Sequence, residues 1–131
     1  MGLTWSDSLA LGVPVIDEDH RVSVEQMADM AAAADDGLAT LFDAFAQHMR
    51  EHFAREEAIM DACHFPARDC HAGEHQRVLG ILTDLKDSIA RGETGPIRAF
   101  AETTGPNWFV NHRNTMDSVT LDYARAAGWR G

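Results

Sequence analysis

Residues 38–60 read LATLFDAFAQHMREHFAREEAIM, and the fold turns on how that stretch is wound. Turned by about 100° per residue, as in an α-helix, Leu38, Leu41, Phe42, Phe45, Met49, Phe53 and Met60 fall within about 60° of one line. That line is a stripe suited to a core. His52 and Glu56 lie inside it. A buried glutamate is costly unless it is paired or bound to a cation, and this one stands one turn from a buried imidazole. The combination calls for a metal.

Outward from this helix the pattern recurs. His71 and His75 share a face with Val78, Leu82, Leu85 and Ile89; His20 shares one with Ile16, Val24, Met27 and Ala31; His112 shares one with Trp108, Thr115, Val119 and Tyr123. Apolar spacings of three and four dominate and β-branched runs are short, so the chain is predicted to be all-α. Turn signals at Gly12 and Pro14, Asp35-Asp36-Gly37, Phe65-Pro66, Gly92 to Pro96 and Gly105-Pro106 leave helices over about 17–34, 37–63, 67–91 and 106–127, with an extra turn at 96–103. Short connections between helices of similar length imply an up-down-up-down antiparallel four-helix bundle. The reading is one domain over 1–131, with an extended N-terminal arm at 1–15, Trp5 and Leu9 packing inward, and the bundle at 16–127.

The composition narrows the partners. The chain has 131 residues and a formal charge of −10 from 21 acidic and 11 basic side chains, which argues against nucleic acid and anionic membranes, since both need a basic footprint. No leader or apolar run of spanning length is evident, so a cytoplasmic monomer is expected. Cys63 and Cys70 read as free thiols in a reducing compartment. The alternative metal patterns fit less well. His71, Glu74 and His75 spell the inverted zinc-peptidase motif, but too little chain follows for such a domain. A zinc site from Cys63, His64, Cys70 and His71 would pull His71 off the core face it fits. No Glu has His three residues on, as ferritin-like di-iron bundles require.

Four stretches together resemble one family, the bacterial hemerythrins: LTWSDSLALGVPVIDEDH, HFAREEAIM, FPARDCHAGEH and WFVNHRNTMD, spanning about residues 3–117. The resemblance implies a non-haem di-iron centre inside the bundle, oxo- or hydroxo-bridged, that binds dioxygen reversibly as carrier, store or sensor. It implies that His71, His75 and His112 hold one iron, that His20 and His52 hold the other, and that Glu56 and Asp117 bridge them. Periodicity alone does not choose Asp117, which lies five residues from His112 and so about 140° away on an α-helix. Val24, Met27, Phe53, Met60 and Trp108 are candidates for the apolar pocket lining on helical spacing. Two other roles remain open: a di-iron oxidoreductase acting on peroxide or nitric oxide, and a signalling module whose arm moves and engages a separate partner.

The chain departs from the family pattern in its fourth helix. Gly105-Pro106 is expected to kink it or start it afresh at Pro106. Arg113 stands where an apolar residue is usual, and Met116 precedes Asp117. Glu57 points off the stripe and reads as solvated; His48, at the stripe's edge, and His64, in a loop, read as boundary or surface residues. Asp17, Glu18 and Asp19 read as acids at a helix start.

Overall fold

Pro14 opens the first helix, because a proline in the first turn gives up only an N–H that would have no partner there. The computed structural model describes residues 3–131, and its first helix, α1, runs Pro14–Ala32. Ala33 and Ala34 are extended and reverse the chain within two residues, although the alanine cluster favours helix. Helix α2 follows at Asp35–Ala62, with Asp35 and Asp36 at its positive end. His64, with φ of 53°, and buried Phe65, whose N–H bonds the Met60 carbonyl at 2.9 Å, turn the chain into α3, Arg68–Ala90.

The last rod is continuous from 95 to 126, so the fresh helix start expected at Pro106 does not occur. It comprises α4, Gly95–Ala99, a π turn at Phe100–Thr104, α5, Gly105–His112, a second π turn at Arg113–Asp117, and α6, Ser118–Ala126. Pro106 has no N–H and would clash with the carbonyl one α-turn back. The wider first π turn lies immediately before it, closed by the Gly105 N–H on the Phe100 carbonyl, and absorbs the proline without ending the helix.

Helix α1 packs on α2, α2 on α3, α3 on α4, and the first π turn returns to α1, which closes an antiparallel four-helix bundle. The arm before α1 is extended apart from a single turn at Asp7–Leu9, and Leu3, Trp5 and Leu9 pack against the core. Met1 and Gly2 lie outside the described residues. Among the described residues, no helix is long and apolar enough to cross a membrane.

The core comes in two parts. A large apolar cluster holds Val24, Met27, Phe45, Met49, Phe53, Val78, Phe100 and Phe109 among others, and a small one holds Val13, Ile16, Ile59, Leu121 and Ala124. Along α1, α2 and the fourth rod the buried histidines and carboxylates fall between them. A polar layer is thus sealed by apolar side chains on both sides.

Gly105 faces Met27 of α1 with no room for a side chain. A Cβ there would lie 2.8 Å from Met27 Sδ and 2.9 Å from the Phe100 carbonyl oxygen. Replacing Gly105 with alanine is expected to destabilise the fold by about 1–2 kcal/mol, because overpacking outweighs the gain in helix propensity. Chemical denaturation measures this, and an unchanged or raised midpoint would show that the rod can shift outward.

Candidate metal centre

Each helix brings its polar side chains to the layer by ordinary spacing, except the last. His20 stands one turn beyond Ile16 on α1, His52 and Glu56 are one turn apart on α2, and His71 and His75 are one turn apart on α3. On the fourth rod His112 and Asp117 are separated by five residues. The π turn between them is closed by a five-residue bond, from the Ser118 N–H to the Arg113 carbonyl. Five residues then make about one full turn, so both side chains point inward. Beyond that turn the buried face advances by one residue. Thr120, Leu121 and Ala124 are inside, while Thr115, Val119 and Tyr123, which α-helical spacing puts on the His112 face, are exposed.

The seven side chains make two donor sets that share both carboxylates: Glu56, His71, His75, His112 and Asp117 in one, and His20, His52, Glu56 and Asp117 in the other. The sharing is atom by atom. Glu56 Oε1 lies 3.1 Å from His75 Nε2 and 3.5 Å from His71 Nε2, while its Oε2 lies 3.2 Å from His52 Nε2 and 3.8 Å from His20 Nε2. Asp117 Oδ1 is 3.0 Å from His112 Nε2 and 3.2 Å from His71 Nε2, and its Oδ2 is 3.0 Å from His20 Nε2. Ligand atoms about 2.1 Å from a cation and at right angles stand about 3 Å apart, which is the spacing found here.

The donor chemistry also fits a cation. Among the described residues, seven of the eight buried side-chain nitrogen and oxygen atoms without a hydrogen-bond partner belong to this cluster, including both oxygens of Glu56 and the Nε2 atoms of His20 and His75. The Nε2 atoms of His71 and His112 stand 3.1 Å apart. Two imidazole lone pairs held that close need either a proton or a metal between them.

Groups around the cluster aim the rings. Asp19 Oδ2 accepts from His52 Nδ1 at 2.9 Å, and Arg55 donates to both oxygens of Asp19 at 2.7 Å. Glu57 Oε2 accepts from His75 Nδ1 at 2.9 Å, and Thr120 Oγ1 is 2.7 Å from His71 Nδ1. A proton on Nδ1 leaves the Nε2 lone pair facing the cluster. Trp108 stacks on His112 and donates from Nε1 to Glu74 at 2.8 Å, Phe53 stacks on His75 at 4.0 Å, and Phe109 meets His20 edge-on. His48 bonds the Asp19 carbonyl at 2.9 Å and ties α2 to α1.

Two sequence readings are corrected. Glu57 is not simply solvated, because its place off the stripe is the seam between α2 and α3. Asp19 is not a helix-start acid: only Asp17 of that run lies in the first turn, and Asp19 is buried. Asp19 next to His20 and Glu57 next to Glu56 each adjoin a cluster residue in the sequence, which is the signal that could have found both.

Of the pocket candidates, Met27 and Trp108 line an enclosed apolar cavity together with Ser23, Phe45, Met49 and Gly105. It has room for about one water-sized molecule, about 10 Å³. Val24 and Met60 are buried away from it, and Phe53 is spent on His75 instead. Single-helix spacing gives burial but not which side of the polar layer a residue meets.

The charges are strongly perturbed. Burial pushes Glu56 and Asp117 up, but the surrounding imidazoles outweigh it and hold both carboxyls well below their usual range. Burial opposes charge on His52 too, yet Glu56 and Asp19 raise it to about 10, and Asp117 and Glu56 raise His71 to about 9. Asp19 sits at about 2 against its own burial, through His52 and Arg55.

The fold and the shared donor sets define a four-helix bundle with an internal cation site. Residues 11–124 match the family described as the hemerythrin HHE cation binding domain, and the chain belongs to that family. It is 31% identical to a bacteriohemerythrin of Ralstonia nicotianae over 96% of this chain and 91% of that protein. It is 25% identical to bacteriohemerythrins of Stenotrophomonas maltophilia, over 95% of this chain and 82% of that protein, and of Methylococcus capsulatus, over 89% and 92%.

The raised imidazoles set a pH dependence for the metal-free chain. A folded-state pKa above the unfolded value gives stability that is complete below about 6.5 and is lost as pH rises through the folded value. Stability of the metal-free protein should therefore fall between about pH 6.5 and pH 10, through the titration of His71 and then His52. Thermal melts with a chelator present test this, and an added divalent cation should remove the fall.

Proposed function

We propose that this chain binds dioxygen reversibly at a non-haem di-iron centre and acts as a carrier, store or sensor. The observation that carries the reading is the split of each carboxylate, one oxygen toward each donor set. His71, His75 and His112 would hold one iron and His20 and His52 the other, with Glu56 and Asp117 shared between them. Two irons bound there supply the electrons and the coordination position that dioxygen binding needs.

Everything else is the work of the chain. The donor sets are unequal, five residues against four, so the side with His20 and His52 has room for a small exogenous ligand. The apolar cavity adjoins both sets, since Phe109 lines it and touches His20 while Trp108 lines it and stacks on His112. Its lining is almost wholly apolar, which disfavours water and so limits proton delivery to the site. Imidazole and carboxylate donors suit iron. The relatives' name, bacteriohemerythrin, points the same way. An oxidoreductase would be favoured by water entering at a broken fourth helix, and that helix is unbroken at Gly105-Pro106.

Metal counting with an anaerobic-to-aerobic optical titration tests the proposal. The expected result is two irons per chain and a visible charge-transfer band that appears with oxygen and reverses under vacuum. Tightly bound zinc, with no oxygen response after iron loading, would sink it.

Asp19 fixes the ring of His52 through a bond that Arg55 steadies. Asp19→Asn should weaken iron retention by about 10–100-fold, read by competition with a chelator. Retention equal to that of the unaltered chain would show that packing alone holds His52.

A further inference from the structure

We propose that the N-terminal arm is a strap on the second π turn, with Arg113 as the positioning residue that holds Asp117 in place. Arg113 opens that turn, and its carbonyl accepts the five-residue bond from Ser118 that makes the turn π rather than α. Its side chain reaches from the rod to the arm. The guanidinium donates to three successive carbonyls of the arm, Ser8 at 3.4 Å, Leu9 at 2.9 Å and Ala10 at 3.1 Å, across more than a hundred residues of sequence. It also bonds the Asn114 side chain at 2.7 Å.

The arm is a firm anchor because it is tied down independently of Arg113. Arg125 donates to the Leu11 carbonyl at 3.0 Å, Asp17 accepts from the Leu11 and Gly12 amides at 2.7 and 3.1 Å, and Trp5 and Leu9 pack against the large apolar cluster. Arg113 is therefore fixed at both ends, by the helix backbone and by a bound strap.

The turn needs such a hold. π geometry is rare and less favourable than α, and returning to α would swing Asp117 about 140° away from His112. Two local bonds help by taking carbonyls around the widened turn: Thr115 Oγ1 donates to the Asn111 carbonyl at 2.7 Å and Ser118 Oγ to the Asn114 carbonyl at 2.9 Å. Asp117 reaches inward to His20 and His71, and Arg113 reaches the other way, tying the turn to the backbone of the arm. Its effect on metal rests on the reading that Asp117 holds a cation, whereas its effect on the turn does not.

Full-length Arg113→Ala and Arg113→Lys, with Arg91→Ala as a charge-matched control at the far end of α3, test the strap by two readouts. In the metal-free protein, amide exchange at 114–118 should be about tenfold or more faster in Arg113→Ala, with 106–111 unchanged. Arg113→Lys, which keeps a cationic donor, should fall between it and the parent, and Arg91→Ala should match the parent. Ferrous ion should be lost to a chelator about 10–100-fold more readily from Arg113→Ala, with Arg113→Lys again between. If Arg113→Ala does not fold, the same comparison is made on Arg113→Lys. Exchange at 114–118 equal to the parent's, or a uniform rise along the whole chain, overturns the strap. Localised exchange with undiminished iron retention overturns the link to Asp117. A parent chain that takes up no iron overturns the metal reading, and the exchange comparison still decides the strap.

Discussion

Two carboxylates at the centre of an apolar bundle are the constraint on which the rest depends. Glu56 and Asp117 are 2% and 1% exposed, and an ionised carboxylate in such surroundings is severely destabilised unless compensated. Five imidazoles are arranged so that each oxygen of each carboxylate faces at least one Nε2. In the absence of metal this compensation is incomplete, since most of the partnerless buried atoms among the described residues are gathered in this layer. A cation in each donor set would turn mutual frustration into coordination, which is how metal binding couples to folding in such sites.

Around that layer the protein arranges three kinds of support. Asp19, Glu57 and Thr120 fix the Nδ1 edges of three histidines, and the first of these is joined to the surface by Arg55. Trp108, Phe53 and Phe109 fix the faces and edges of His112, His75 and His20. The large and small apolar clusters close the two ends and keep the local dielectric low, which strengthens every interaction within. The arm belongs to the same scheme, because it covers the core and grips the fourth rod through Arg113 and Arg125.

Helix periodicity was a good guide wherever the helix is regular. The stripes on α1, α2 and α3 gave the bundle and turned His20, His52, Glu56, His71 and His75 inward from spacing alone. Resemblance to a family, not spacing, brought in Asp117. On the fourth rod spacing failed beyond His112: it favoured Val119 and Tyr123, whereas Thr120, Leu121 and Ala124 are buried. One extra residue in a π turn rotates all that follows, and no local propensity in RNTMD announces it. Pro106 misled for a related reason, since a helix breaker was absorbed by the π turn just before it.

The sequence by itself determined the all-α fold, the number of helices and the inward direction of most of the polar side chains, because those follow from a repeat of 3.6 residues and from the cost of exposing apolar surface. Only the tertiary structure decided that Asp19 and Glu57 turn toward His52 and His75, that Arg113 spans to the arm, and that a π turn is what brings Asp117 into the cluster. Each of these depends on partners far away in the chain, and the π turn survives because packing and long-range hydrogen bonds outweigh the local preference for α geometry.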